Sequence, residues 1–354
     1  MPDRIAGRRV SNYPLSYKIS WPARFLKPSA AGDASGYLPG EGALMPRPAR
    51  CVRLAFVGDI SAVANRRAPV CDAQLAALLA SADLVVGNCE SPVVGKPSAR
   101  LGTRLGTRHA MTADFLTDVL AATGIAPARL VLSLANNHVL DQGIEGYDET
   151  RAALARLGIA TIGAAAGLLA VAAGPLRIGL AAYTQWRNAD AAAFSGRAVM
   201  ADAFFAASRG GIEGAEGVDL VCAVPHWDWE FRHFPRAATR AEARRLADLG
   251  VGLVAGHHAH VVQPLERIGG ALVAYGLGDF LGTAFARQPW PGRIGAILMV
   301  EVSADAGTRG RVAGWSMVPL FRERDGDRER LVPLETVGGR LGAKARARWA
   351  GLFG

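Results

Sequence analysis

The sequence predicts an α/β fold in which the sheet is parallel in part. Short apolar runs suited to buried strands alternate with helical segments through most of the chain. The last apolar runs, near 294–302 and 312–318, have no helix between them and therefore predict antiparallel strands. With 354 residues and a hydrophobic content of 50%, the chain can bury a large core.

The elements of the first half follow from this alternation. Apolar runs predict strands at 52–57, 84–87, 130–134 and 160–162. The segments between them predict helices at about 72–82, 112–123 and 147–157. Strand and helix therefore alternate, as parallel strands require.

The second half repeats the pattern and then changes to strands alone. Apolar runs predict strands at 176–183, 218–224, 250–255, 271–276, 294–302 and 312–318. The segment 188–216 is predicted as loop and helix. Thr239 and Glu242 have the spacing of a capping box, which predicts a helix from there to about residue 249. A basic surface helix is predicted at 341–352.

The two ends of the chain differ from its middle. Residues 1–50 are rich in Pro, Gly, Ala and Ser without sustained periodicity, which predicts an irregular basic N-terminal arm before a domain at 51–321. Part of residues 11–40 is expected to pack on the domain, with the first ten residues mobile, because the arm carries the aromatic residues Tyr13, Tyr17, Trp21, Phe25 and Tyr37. Residues 322–354 are predicted as a basic C-terminal extension with a helix.

The net charge of +9 lies on those two ends. Residues 1–50 hold eight Lys or Arg against three Asp or Glu, and residues 322–354 hold eight against five. Neither end interleaves aromatic and basic residues in the manner of a nucleic-acid-binding segment, so no specific nucleic-acid partner is expected. The sequence sets no oligomeric state.

The compartment is expected to be the cytoplasm. No run of about eighteen apolar residues predicts a transmembrane anchor, and no apolar region follows the basic N-terminus as in a signal peptide. The four cysteines show no CxxC spacing, and Cys89 and Cys222 lie within apolar strands. Unpaired core cysteines fit a reducing compartment.

Five predicted strands end in polar residues that can bind a metal. These tip residues are Asp59; Asn88 and Glu90; Asn137 and His138; His226 and Glu230; and His258 and His260. In open α/β sheets, ligands bind at the carboxyl ends of the strands, so the five tips are expected to converge on one crevice.

Three of the seven histidines fall within four positions, at His257, His258 and His260. They follow the apolar run 250–255, and alternate residues of an extended segment point to the same side. His258 and His260 are therefore expected to point together, with His257 pointing away. Two converging imidazoles at a strand end form half of a metal site.

These residues also resemble a known family. The motifs are Gly58-Asp59, Asn88-x-Glu90, Ala135-Asn136-Asn137-His138 with Asp141-x-Gly143, His226-Trp227-x-x-Glu230, Gly256-His257-His258-x-His260-Val261-Val262-Gln263 and Tyr275-x-Leu277-Gly278-x-Phe280. As a set, from about residue 52 to 283, they resemble the CapA family of the poly-γ-glutamate capsule synthesis type, related to calcineurin-like metallophosphoesterases. The resemblance implies a four-layer α/β/β/α sandwich with mixed sheets.

The resemblance also implies roles for individual residues. Glu90 would bridge two divalent ions, with Asp59 and His260 on one ion and Asn137, His226 and His258 on the other. His138 would be a substrate-facing acid, and Asp59 and Glu230 are further catalytic candidates. The candidate substrate-binding residues are Asn88, Asn136, His257 and Asp279.

The donors restrict the metal without identifying it. Carboxylate, amide and imidazole groups without thiolate suit one or two ions of Mn, Fe, Zn or Mg. The sequence departs from the superfamily pattern at Ser61, where the Asp-x-His motif has its histidine, and at Asp279, where the family has Asn.

Three classes of function remain open. The first is a metal-dependent hydrolase that acts on a phosphoester or a γ-glutamyl amide bond, with a peptide, polyglutamate or phosphoester substrate. The second is a metal-independent acid–base enzyme of the peptide epimerase type that uses the same Asp/His crevice. The third is a non-catalytic accessory protein of capsule polymer synthesis or export.

Overall fold

The computed structural model describes residues 11–63, 67–98, 100–103, 106–282, 288–326 and 328–354. The expected mobility of the first ten residues falls outside these ranges. The strands in chain order are β1 (Glu41–Ala43), β2 (Cys51–Ile60), β3 (Val70–Cys71), β4 (Leu84–Asn88), β5 (Arg100–Thr103), β6 (Gly106–Arg108), β7 (Leu130–Ser133), β8 (Ala160–Ile162), β9 (Leu169–Ala173), β10 (Leu176–Thr184), β11 (Leu220–His226), β12 (Leu253–Ala255), β13 (Leu265–Ile268), β14 (Ala271–Ala274), β15 (Asp279–Leu281), β16 (Ile294–Ser303), β17 (Val312–Asp325) and β18 (Arg328–Pro333).

The helices cover the sheets and one edge of the site. They are α1 (Leu15–Leu26), α2 (Ala73–Ala80), α3 (Ala113–Thr123), α4 (Gly143–Arg156), α5 (Ala191–Phe194), α6 (Ala201–Ala207), α7 (Ala237–Asp248) and α8 (Gly339–Phe353). In the described ranges, none of them combines the length and the apolar character needed to cross a bilayer.

The larger sheet has the strand order β3-β18-β17-β16-β2-β4-β7-β8, with β1 paired to β17 and β15 to β2. Strands β2, β4, β7 and β8 run parallel to their neighbours in that row. Strands β16, β17 and β18 continue the sheet as antiparallel strands. The predicted combination of parallel strands and late antiparallel strands is confirmed.

The smaller sheet has the order β13-β14-β12-β11-β10-β9. Its four central strands, β10, β11, β12 and β14, are parallel, and β9 and β13 add antiparallel edges. The parallel strands of both sheets carry the tip residues at their carboxyl ends.

Three cores hold four layers together. The core between the sheets contains Phe56 of β2 and Leu180 of β10. Helices α2, α3 and α4 cover the outer face of the larger sheet, where Leu116 is buried. Helices α6 and α7 cover the smaller sheet through Phe204 and Leu246. The α/β/β/α sandwich implied by the family resemblance is confirmed.

Local signals define some helix ends well. Helix α3 begins after Thr112, whose side chain accepts a hydrogen bond from the Phe115 amide at 3.1 Å. It ends at Gly124, which is left-handed with φ of 70° and so suits a residue without Cβ. Both ends agree with the predicted helix because the capping contacts are local in sequence.

The capping box predicted at Thr239 is wrong. Helix α7 begins at Ala237, and Thr239 is buried inside its first turn. Asp228 supplies the terminal contact instead: its carboxylate accepts from the Arg236 amide at 3.1 Å and from the Arg236 guanidinium at 2.5 Å. The start of α7 therefore depends on a tertiary contact with Asp228, which a local capping motif does not indicate.

The terminal regions are more ordered than their composition predicts. The N-terminal arm contains α1 and β1, so it is not irregular throughout. Strand β17 crosses the predicted boundary between residues 321 and 322, and β18 pairs with it inside the larger sheet. Composition marks where charge lies, whereas strand pairing decides which residues belong to the sheet.

Candidate metal centre

The carboxyl ends of strands from both sheets meet at one buried site. Among the residues that the structure describes, three groups of side chains each bring their own ligand atoms within 4.8 Å of one another. The groups are Glu90 with His226 and His258; Glu230 with His258 and His260; and Asp59 with His260 and Asp279. The tips converge as the sequence predicts, and each sheet contributes donors.

Asp59 lies at the end of β2, and a chain of hydrogen bonds through two asparagines holds its carboxylate. The Asn88 amide donates to Asp59 Oδ1 at 2.7 Å, and Asn136 donates to Asn88 Oδ1 at 3.1 Å. Both asparagines are fully buried. In this placement the two asparagines orient the Asp59 carboxylate, and their contact with substrate stays a prediction.

Gly58 allows the close packing that places Asp59. A Cβ at this position would collide with the carbonyl oxygen of Gly278. The Asp59 amide donates to that same carbonyl at 3.1 Å. Any larger residue would separate β2 from the loop before β15 and move the Asp59 carboxylate.

Glu90 lies between histidines of the other sheet. Its Oε1 is 3.2 Å from His226 Nε2 and 3.7 Å from His260 Nε2, and its Oε2 accepts a hydrogen bond from the Ser61 hydroxyl. Burial alone would raise the pKa of Glu90, but His260 and the hydrogen bond from His226 hold it well below the ordinary value. Glu90 is therefore an anion between imidazoles, as a bridging ligand requires.

His258 and His260 reach the site through left-handed backbone. Strand β12 ends at Ala255, and the two histidines have φ of 84° and 52°. The expected extended alternation is therefore wrong, although the two side chains share the site. Such strained conformations persist only where contacts hold them, and here the His258 amide donates to Asp59 Oδ2 at 3.0 Å.

His257 points away from its neighbours, into the interior. Its Nε2 donates to the Val57 carbonyl at 3.0 Å, and the ring is fully buried between the sheets. The predicted substrate contact is not supported by this placement. Gly256 precedes it because a Cβ there would collide with the Tyr275 carbonyl.

Asp279 joins the site to a buried cation. Its Oδ1 accepts from His260 Nδ1 at 2.6 Å, and its Oδ2 accepts from Arg322 at 2.9 Å. Metal-binding histidines commonly donate their second ring nitrogen to a carboxylate in this way. Asp279 therefore orients His260 so that Nε2 faces Glu90, and its contact with substrate stays a prediction.

His138 is held by a carboxylate at the edge of the site. Its Nδ1 is 2.7 Å from Asp141 Oδ2, and its ring stacks on His109 with centroids 3.7 Å apart. Burial alone would lower the pKa of His138, but the Asp141 charge and hydrogen bond raise it above the ordinary value. Since Nδ1 is engaged, Nε2 is the nitrogen that can transfer a proton.

The N-terminal segment contacts the site, and the sequence prediction missed this. The Trp21 indole donates to Glu230 Oε2, while Glu230 Oε1 lies 3.9 Å from His258 Nε2. Tyr13 accepts a hydrogen bond from the Asn137 amide at 2.8 Å. The signal was present in the four-residue spacing of the aromatic residues Tyr13, Tyr17, Trp21 and Phe25, which places them on one side of a helix.

The family comparison agrees with this arrangement. Residues 53–284 match the family described as "Bacterial capsule synthesis protein PGA_cap", which is more than half of the chain. The chain belongs to the PGA_cap family. The matched range contains all the candidate ligands and excludes α1.

Two named relatives are similar in sequence to part of this chain. The PGA biosynthesis protein CapA of Bacillus subtilis is 27% identical over 216 residues, 57% of this chain and 53% of that protein. The capsule biosynthesis protein CapA of Bacillus anthracis is 25% identical over 214 residues, 57% of this chain and 51% of that protein. This PGA_cap protein therefore spans about half the length of the curated relatives it matches.

The chain also superposes on a solved structure. A novel phosphatase of Mycoplasma pneumoniae superposes with a TM-score of 0.40 and 14% identity, covering 77% of this chain and 94% of that chain.

The donor set of this PGA_cap protein fits a divalent metal. In the part of the chain that the structure describes, Asn137 Oδ1 and both ring nitrogens of His258 are buried without a hydrogen-bond partner. Burial and the imidazoles of His226 and His260 lower the pKa of His258 well below its ordinary value, so its ring is neutral. A buried polar atom without a partner is costly, and a cation is the partner that oxygen and neutral imidazole donors share.

Proposed function

We propose that this protein is a metal-dependent hydrolase, and that the bond it cleaves is a γ-glutamyl amide of polyglutamate or a related peptide. The observation that carries the proposal is the buried donor set in which Asn137 Oδ1 and the His258 ring nitrogens have no hydrogen-bond partner among the described residues. The relatives' names, which refer to PGA and capsule biosynthesis, favour the polymer over other amides.

The donors divide into two sets around Glu90. One ion would be held by Asp59 and His260, and the second by His226, His258 and Asn137, with Glu90 between them. When bound, divalent cations polarise the scissile group and lower the pKa of an attacking water.

The protein's own residues supply the remaining chemistry. Asp141 engages Nδ1 of His138 and raises the pKa of the ring above its ordinary value, so His138 is suited to give a proton from Nε2 to the leaving amine. Glu230 Oε1 lies 3.9 Å from His258 Nε2, where the carboxylate can bind a cation or accept a proton. The site therefore combines an acid with a set of anionic and neutral donors.

The test is metal content together with turnover. Protein purified without added metal is analysed by elemental mass spectrometry. It is then assayed on oligo-γ-glutamate and on an aryl phosphoester, each with and without chelator. We expect bound divalent metal and chelator-sensitive cleavage of the γ-glutamyl substrate. His258→Ala and Glu90→Ala should lose most of the metal, because each removes a donor from the centre.

His233→Ala is the matched control. His233 is also a buried histidine, but its ring hydrogen-bonds the Val262 carbonyl. The metal content of the His233→Ala variant should therefore stay normal. Chelator-sensitive cleavage of the phosphoester alone would indicate a phosphoester substrate in place of the γ-glutamyl amide. Turnover that is insensitive to chelator would favour acid–base chemistry without metal, and metal binding without any turnover would favour an accessory role.

A further inference from the structure

Helix α1 and the residues before it form one wall of the candidate metal centre. The helix carries Tyr17, Trp21, Arg24 and Phe25 toward the domain, while Ile19 on the opposite side is 71% exposed. Trp21 and Phe25 stack with centroids 5.2 Å apart and pack edge-on against Phe231. The helix is thus anchored by aromatic contacts next to Glu230.

Tyr13 holds the side chain of Asn137. The Asn137 Nδ2 group donates to the Tyr13 hydroxyl at 2.8 Å, so the amide nitrogen is engaged and Oδ1 points elsewhere. That Oδ1 is buried without a partner in the described chain. Of the two amide atoms, the oxygen is the one that binds a cation. The Tyr13 ring is itself fixed by stacking on Trp186, with centroids 4.8 Å apart.

Trp21 and Arg24 hold Glu230 in the same way. The Trp21 indole donates to Glu230 Oε2, and Arg24 Nε donates to the Glu230 carbonyl at 3.0 Å. Arg24 stacks over the Trp229 ring at 4.9 Å. With one carboxylate oxygen engaged by the indole, the other is directed at His258, 3.9 Å away.

We propose that Tyr13 and Trp21 are positioning residues of the metal centre, supplied by a segment outside the family-matched range. Tyr13 turns the Asn137 oxygen toward the cation, and Trp21 fixes the Glu230 carboxylate beside His258. Loss of such outer contacts commonly weakens metal affinity by about 10–100-fold. This inference rests on the proposed metal centre.

The experiment measures metal affinity of the full chain and requires no substrate. Protein stripped with chelator is titrated with Mn²⁺, and free Mn²⁺ is followed by electron paramagnetic resonance. Tyr13→Phe removes only the hydroxyl, and Trp21→Phe keeps a six-membered aromatic ring but removes the five-membered ring that carries the N–H group. We expect each to bind Mn²⁺ about 10–100-fold more weakly than the wild type. Ile19→Ala, on the exposed side of the same helix, should bind as the wild type does.

A second comparison separates orientation from general loss of structure. In an Asn137→Asp background both terminal atoms of side chain 137 are oxygens. Tyr13 is then no longer needed to turn an oxygen toward the cation. Adding Tyr13→Phe to Asn137→Asp should therefore change Mn²⁺ affinity by less than about twofold. An equal loss in both backgrounds would overturn the orientation argument.

The outcomes distinguish this inference from the proposed function. A wild type that binds no metal would overturn both. A wild type that binds Mn²⁺, together with Tyr13→Phe and Trp21→Phe variants of equal affinity, would overturn only the positioning roles. Thermal melts of the metal-free proteins show whether each variant is folded, and neither conservative change removes a core side chain.

Discussion

Individual side chains determine what the site can do, and His138 is the clearest case. Its Nδ1 is engaged by Asp141, and in the described part of the chain the side-chain oxygen of its neighbour Asn137 has no hydrogen-bond partner. The two adjacent residues thus have different roles: the amide is a candidate ligand and the imidazole a candidate acid.

The role of His138 is testable by truncation. His138→Ala should keep its metal and its fold because no candidate ligand is lost, yet the turnover number should fall roughly 10²–10⁴-fold, the usual effect of removing a general acid. Metal content and turnover of the variant are measured together. A variant with normal metal and normal turnover would contradict the assignment.

Glu329, which shares Arg322 with Asp279, provides a pH-dependent contribution to stability. It is buried, accepts a hydrogen bond from the Gly282 amide at 3.1 Å and lies 3.1 Å from Arg322. Burial outweighs the attraction of Arg322 and raises the pKa of Glu329 from 4.5 to about 7. A carboxyl group with a raised pKa stabilises the fold below its unfolded value, and this contribution is lost as pH rises through the folded value.

We therefore expect the stability difference between the wild type and Glu329→Gln to fall between pH 4.5 and pH 8. The change should be at most about 3.5 kcal/mol, since each unit of pKa shift corresponds to about 1.4 kcal/mol. Denaturant unfolding at several pH values measures it. Glu323→Gln, a partly exposed carboxyl on the same sheet, is the control. A pH-independent difference for Glu329→Gln would contradict the shift.

Among the elements, α1 shows how helix stability depends on tertiary contact. Pro22 lies inside the helix and removes one backbone hydrogen bond, and Pro14 precedes it without a side-chain cap. Isolated helices of this length are marginal in water. Packing of Tyr17, Trp21 and Phe25 on the domain must therefore hold the helix in place.

Limited proteolysis tests this dependence. Trypsin sites at Lys18 and Arg24 lie within α1, and cleavage there requires local unfolding. The wild type should be cut slowly at both, whereas Trp21→Ala should be cut several-fold faster because the aromatic contacts are lost. Ile19→Ala should resemble the wild type. Equal cleavage rates for all three proteins would show that α1 does not depend on its packing.

For the molecule as a whole, the candidate centre connects the two sheets. Asp59 and Glu90 come from the ends of β2 and β4 in the larger sheet, and His226 and His258 come from the ends of β11 and β12 in the smaller one. A bound cation would thus join the two halves of the sandwich, and folding is what brings its donors together.

Metal removal should therefore lower the melting temperature. A ligand present at 100 times its dissociation constant stabilises the folded state by about 2.7 kcal/mol, which corresponds to a shift of a few degrees. Thermal melts with added Mn²⁺ and with chelator measure the shift. His258→Ala should lose most of the difference between the two conditions. A wild type that melts at the same temperature in both would contradict a cation between the sheets.

Local pattern was sufficient for the fold class, the alternation of strands and helices, and the residues at the strand ends. Apolar periodicity and capping contacts such as Thr112 act over a few residues, so they can be recognised in the sequence itself. The same holds for the motif set that indicates the PGA_cap family.

Long-range packing decided the rest. It turned His257 to Val57 and drew His258 and His260 into left-handed backbone. It also extended β17 beyond residue 321 and placed α1 against Glu230. Each of these features depends on a partner remote in sequence, with which a hydrogen bond or a buried contact offsets local strain or weak local preference. The pattern of neighbouring residues in the sequence does not indicate which remote residue will be the partner.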